Sequence, residues 1–165
     1  MKTVIIKTVK SLTTPVIQKH WFGDFLFAIP RIVCGYLLTS SFGSDKFGMP
    51  WSSTPNLGFF EVAAWFPRDV EDYGGIFAMF PVFFAWMGAF SEAVGGLFLM
   101  LGLKTRIASF LIMCTMLVAI FLQKWSGHVW GMLPAMGFLW VSLFTMYLGS
   151  GRFGLDYLIS RKFKK

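Results

Sequence analysis

Glu92 and Arg31 are the residues of this chain whose placement most demands a chemical role. Glu92 lies about midway along an apolar run from Gly75 to Leu103. That run is long enough to cross a bilayer, which takes about 20 apolar residues. A carboxylate at such depth costs roughly 2.5–3.5 kcal/mol on insertion scales, so a chain keeps it only where it is paired, neutralised or used. Arg31 lies in a second apolar run, within Ile29-Pro-Arg-Ile-Val-Cys-Gly35-Tyr36. Counted from the same side of the membrane, Arg31 is about ten residues deep and Glu92 about eleven. Both are expected near the midplane, on adjacent antiparallel helices, where an Arg–carboxylate pair offsets the insertion cost of each. In that arrangement Glu92 and Arg31 are the candidate catalytic residues. Glu92 can carry a proton, and Arg31 with Lys46 can hold an anion or polarise a quinone carbonyl. Lys46, Arg31 and His128 form the candidate substrate-binding set, with Lys46 and His128 at the outer opening. The same charge pair can instead do no more than fix helix register.

Other chemistries find less support. His20 and His128 fall on opposite sides of the membrane, so no metal set, haem pair or copper site is expected. Gly95-Gly96 and Gly149-Ser-Gly151 lack the strand–turn–helix context of a nucleotide fingerprint. Neither a serine nor a cysteine has a nearby base. Cys34 and Cys114 sit in different apolar segments without CxxC spacing and read as small packing residues.

The elements that must position these groups are membrane helices. Of 165 residues, 56% are hydrophobic and 14% charged, with mean hydropathy +0.64; a soluble domain is typically about 45–50% apolar and about 25% charged. The net charge of +7 is not a nucleic-acid signal, because the basic residues flank apolar segments and form no dense patch. Four apolar segments, at about 21–42, 76–103, 107–122 and 129–148, each suffice to span. The chain therefore reads as a single all-α domain, 1–165, an integral membrane four-helix bundle. Residues 2–19 are basic and amphipathic and read as an N-terminal interfacial helix. The loop over 42–76 is long and leans acidic, and Asn56–Phe66 within it reads as a short amphipathic helix. Trp51, Trp65 and Trp130 are expected interface anchors.

Lysine and arginine clusters precede span one, lie between spans two and three (Lys104, Arg106) and follow span four. Four spans place all three clusters on one side, the cytoplasm, with both termini inside and the 42–76 loop outside. Three stripes should face the bundle interior. They are Asp24, Ala28, Arg31 and Gly35 in span one; Ala85, Gly88, Ala89, Glu92, Ala93 and Gly96 in span two; and His128, Gly131, Ala135, Phe138, Ser142, Thr145 and Gly149 in span four. Asp24 reads as an inner-end residue of span one.

Three stretches resemble the DoxX family. Pro30-Arg31 with Gly35-Tyr-Leu-Leu and Gly43-Ser-Asp-Lys46 is similar to its first-helix signature. Glu92-Ala-Val-Gly-Gly-Leu-Phe-Leu-Met-Leu-Gly-Leu-Lys-Thr-Arg106 looks like its second-helix signature, and Gly149-Ser-Gly-Arg-Phe-Gly-Leu-Asp156 its closing element. The resemblance covers about residues 22–158. It implies a small four-helix protein of a prokaryotic cytoplasmic (inner) membrane, in a redox setting, with Arg31, Lys46, Glu92 and Arg106 as the positions carried over. The function expected is a membrane subunit of a quinone-linked redox complex of the thiosulfate or sulfur-compound:quinone type. Quinone would be a substrate, with lipid and protein subunits the partners; from the residues, which carry no haem, flavin or metal motif, none of these groups and no nucleic acid is expected. The alternative is a non-catalytic scaffold or assembly subunit that docks a partner complex.

Overall fold

The computed structural model describes residues 14–123 and 129–162. Four helices are long and apolar enough to cross a membrane: α1 (Trp21–Phe42), α4 (Pro81–Leu101), α5 (Thr105–Gln123) and α6 (Val129–Leu148). Between α1 and α4 lie the short helices α2 (Phe66–Glu71) and α3 (Gly75–Met79), and α7 (Leu155–Lys162) follows α6. No strand is formed among the described residues.

The apolar side chains face outward, as lipid requires. On α1 the buried residues are Asp24, Ala28, Arg31 and Gly35, the stripe expected from sequence. Phe22, Phe25, Leu26, Ile29, Ile32 and Val33 are exposed on its other faces. Small residues toward the bundle and large apolar ones toward the solvent is the membrane pattern, because lipid is as apolar as any core. On α6 the stripe holds from Ala135 through Phe138, Ser142 and Thr145 to Gly149, while Gly131 is exposed. His128 lies outside the described residues.

α1 and α4 run antiparallel in close contact. A methyl group on Gly35 would come within 2.5 Å of the Met100 nitrogen and 2.6 Å of the Gly96 carbonyl oxygen. Thr39 ties the same interface by donating to the Ala93 carbonyl at 2.6 Å. A central core of Leu38, Leu99, Ile112, Met116, Ile120, Met132, Ala135 and Phe138 joins the four helices. A second core, Phe47, Phe66, Val70, Ala85, Ala89, Ala93 and Val94, fixes the 43–73 segment onto α4.

The loop differs from its sequence reading. The backbone of 46–48 pairs with 60–63: Gly48 N–H donates to the Glu61 carbonyl and Ala63 N–H to the Lys46 carbonyl. These bonds take the amide groups a helix over Asn56–Phe66 would need, and Asn56 (φ 60°) and Phe60 (φ 62°) are left-handed. The helix forms instead at Phe66–Glu71, with proline in its first turn, where the missing N–H costs nothing. Trp51, Trp65 and Trp130 are all exposed. The second span begins at Pro81, later than the expected 76, because Phe80 adopts φ −136°, ψ 56°. A residue before proline is pushed out of the helical region. The expected interfacial helix over 2–19 falls mostly outside the described residues; residues 14–20 are not helical, and Val16 N–H donates to the Leu148 carbonyl at 2.8 Å.

One distant carboxylate starts α5. Asp156 accepts from Lys104 N–H (2.7 Å), Thr105 N–H (2.9 Å) and the Thr105 hydroxyl (3.0 Å). The first-turn amides of a helix have no intrahelical partner, and here a residue some fifty positions on supplies it. Asp156→Ala should therefore cost about 2 kcal/mol, the upper range for a lost cap, read as a lowered unfolding midpoint in detergent.

Candidate functional site

The partner of Glu92 is Lys46. After α1 the chain turns at Gly43, where Phe47 N–H donates to the Gly43 carbonyl at 3.0 Å. The turn is tight against α4: a methyl group on Gly43 would come within 2.5 Å of the Ala93 Cα. Lys46 is thereby carried back across α4 instead of continuing along α1. Its Nζ lies 2.6 Å from Glu92 Oε2, with side-chain exposures of 16% and 7%. The ammonium also sits 5.1 Å from the centroid of the Phe66 ring, a cation–π contact that strengthens as water is excluded.

The backbone around Glu92 is widened. Residues Ser91–Gly95 form a π-helical turn inside the second span, facing another at Leu38–Phe42 at the end of α1. All six residues from Ser91 to Gly96 are buried, more than one face of a regular helix provides. Such single π turns inside α-helices are frequent at functional sites.

The Arg31–Glu92 pair expected from sequence does not form. The Arg31 side chain is buried and donates to the carbonyls of Leu99 (2.6 Å), Met100 (3.0 Å) and Phe153 (2.9 Å). Leu99 and Met100 lie in the last turn of α4, where carbonyls lack the regular helical donor; the Leu99 carbonyl also accepts from Gly102 N–H at 3.2 Å, and the Arg31 guanidinium adds to it and complements the negative end of the helix dipole. The reason is stagger. α1 extends some ten residues past the level where α4 stops, so depths counted from each helix's own end do not correspond. Arg31 is level with the last turn of α4, whereas Glu92 lies about nine residues, roughly 13 Å, higher at 1.5 Å per residue. Asp24 lies in the first turn of α1 and is buried, as an end residue of that span. It sits beside Arg152, 3.1 Å from the guanidinium Nε, and accepts from Gln18 N–H. Arg106 donates to the Tyr147 carbonyl at 3.2 Å, at the same end of the bundle.

Beside the Lys46–Glu92 pair lies a cavity of about 250 Å³ between α4, α5 and the α2–α3 segment. Phe66, Val70, Tyr73 and Phe77 cover it; Phe84, Met87, Leu111 and Val118 wall it. Ser91 and Thr115 share a hydrogen bond of 2.5 Å across the α4–α5 seam in that wall. Phe83 and Cys114 also line it and are exposed on the lipid-facing side, so the cavity opens between α4 and α5. The wall is almost wholly apolar apart from Lys46, Glu92, Tyr73, Ser91, Thr115 and Gln123. Burial, followed by the nearby Asp69, Glu92 and Asp72 carboxylates, pushes the Tyr73 phenol up to about 12. It stays protonated and can donate a hydrogen bond.

Chemically, the site offers a cation whose charge is balanced by a carboxylate, so it favours a neutral ligand with a hydrogen-bond acceptor. The volume is below the about 300–1,000 Å³ of drug-sized pockets, enough for one ring whose substituent passes into lipid. The sequence singled out Lys46 and Glu92; Phe66, Tyr73, Ser91 and Thr115 carried no local signal, because only the folding of the 43–73 segment brings them together.

A family model, DoxX, matches residues 26–125, a stretch that contains most of α1, all of α2 through α5 and both members of the ion pair. No curated protein and no solved structure matches the chain.

Proposed function

The chain belongs to the DoxX family, and from that premise we propose that it is the quinone-binding membrane subunit of a redox complex of the sulfur-compound:quinone type. The observation that carries this reading is the buried Lys46–Glu92 pair in the wall of an apolar cavity that opens toward lipid. A quinone is neutral, has a flat apolar ring with carbonyl acceptors, and reaches its site through the bilayer; each property has a counterpart in the cavity. Lys46 Nζ donates to a ring carbonyl oxygen. The Lys46 ammonium gives a proton to that oxygen as negative charge develops on it, and the Glu92 carboxylate, hydrogen-bonded to the same nitrogen, takes up a proton from water and passes it to the resulting amine. Reduction to the quinol consumes two electrons and two protons, the electrons coming from a small reduced sulfur anion or a partner redox protein. Arg31, locked on three carbonyls at the other end, holds the bundle together in this scheme and touches no substrate. The basic clusters at the Lys104 end favour a cytoplasmic (inner) membrane orientation with that end inside, and the cavity then lies toward the outer leaflet.

Titration of the purified chain in lipid nanodiscs with decylubiquinone tests the reading. Wild type should bind, and Lys46→Met and Glu92→Gln should each weaken binding by about tenfold or more, the worth of a hydrogen bond to a charged group. Equal affinity in all three proteins, or none in wild type, would remove the proposal. A scaffold role has one observation in its favour. Trp51, Phe59, Phe60 and Trp65 are each exposed on the loop, aromatic residues of the kind enriched at interfaces. An obligatory partner that co-purifies with a chain unable to bind quinone would favour that second reading.

A further inference from the structure

We propose that Tyr73 forms a second hydrogen-bonding subsite in the cavity, which takes the other carbonyl oxygen of a 1,4-dione ring held by Lys46. This rests on the quinone reading above and deepens it by naming the substrate class: a ring with two acceptors on opposite edges. Tyr73 lines the same cavity as Lys46 and Glu92. It reaches the cavity from a different element, the turn between α2 and α3, so it approaches from the cover while the ion pair occupies the α4 wall. Its ring is held by an edge-on contact with Phe77, centroids 6.0 Å apart, and it packs at the margin of the Phe47–Phe66–Val70 core. That packing orients the ring. The hydroxyl makes no hydrogen bond with any described residue, although the ring is half-buried. A phenol enclosed with a ligand in the cavity would need a partner, and burial, with the carboxylates of Asp69, Glu92 and Asp72 around it, keeps the group a donor. An apolar ring with a single acceptor would satisfy Lys46 and leave the phenol unmatched; a 1,4-dione satisfies both.

The test compares two probes of the same shape, menadione (2-methyl-1,4-naphthoquinone) and 2-methylnaphthalene, which lacks both oxygens. Binding of each to the full chain in nanodiscs is measured for wild type, Tyr73→Phe and Lys46→Met. The expected result is that wild type prefers menadione and that Tyr73→Phe lowers the menadione:methylnaphthalene ratio by about three- to tenfold, the worth of one neutral hydrogen bond. The affinity for 2-methylnaphthalene should be unchanged, because phenylalanine keeps the ring and its packing. A ratio unchanged in Tyr73→Phe but lowered in Lys46→Met overturns the Tyr73 subsite alone. No preference in wild type overturns the quinone reading itself. Equal loss of both probes in Tyr73→Phe assigns Tyr73 a packing role and likewise overturns the subsite.

Discussion

Replacing Lys46 with methionine is expected to destabilise the folded chain by about 3–5 kcal/mol, the cost of removing one partner of a buried ion pair. The loss arises mainly at Glu92, whose side chain is 7% exposed and whose Oε2 has Lys46 as its ion partner at 2.6 Å. Without the ammonium, the carboxylate must sit unpaired in a cavity wall shared with Phe66, Phe84 and Met87 or take up a proton. The remedy follows from the same reasoning. Neutralising both residues, as in Lys46→Met with Glu92→Leu, removes the desolvation cost of two charges along with their attraction. Pairs replaced in this way by apolar groups of similar volume are often neutral or stabilising. Thermal unfolding in detergent should show a large drop for the single variant and recovery of most of it in the double variant. Independent, additive losses would mean the two groups do not interact.

The second large effect is steric. Gly35→Val should destabilise the chain by about 3 kcal/mol or more, at the top of the range for overpacking. The new Cβ has no room, since the Met100 nitrogen lies 2.5 Å and the Gly96 oxygen 2.6 Å from its ideal position, and both are backbone atoms that cannot rotate away. α1 and α4 must separate. Separation also stretches the Thr39–Ala93 bond and shifts Lys46 relative to Glu92, so binding at the cavity should fall with stability. Gly137→Val is the control: beyond its own stretch of helix backbone nothing lies within 4 Å of a Cβ there, and the variant should unfold within about 0.5 kcal/mol of wild type, as surface substitutions do. Comparable losses in both variants would show that valine propensity, not helix contact, is responsible.

Much of the architecture was legible in the residues. Four spans, the buried stripe of α1 and most of that of α6 follow from periodicity, because small and polar residues mark the interior when the surroundings are lipid. The burial of Glu92 was legible for the same reason. Its partner was not. Identifying it required the relative heights of α1 and α4, which depend on where Gly35, Gly43 and Gly96 interlock, and periodicity along one helix carries no information about its offset from another. The turn at Gly43 that returns Lys46 to α4 was equally hidden, since a helix continuing outward fits the same residues. The cavity cover was misread for a third reason. Apolar residues in Asn56–Phe66 suggested an amphipathic helix, but backbone pairing between 46–48 and 60–63 overrode the pattern and moved the helix to Phe66–Glu71. Arg31 kept its predicted burial and lost its predicted role, because helix-end carbonyls answer a guanidinium as well as a carboxylate does.

The ion pair is retained, on this account, for what it presents to the cavity and not for what it adds to the fold. The Lys46→Met/Glu92→Leu double variant separates the two most directly, by titration with decylubiquinone in nanodiscs at a temperature where it and wild type are equally folded. The account expects a stable bundle with quinone affinity reduced by about a hundredfold, the loss of one or two hydrogen bonds to charged groups. A stable double variant that binds decylubiquinone as tightly as wild type would contradict it.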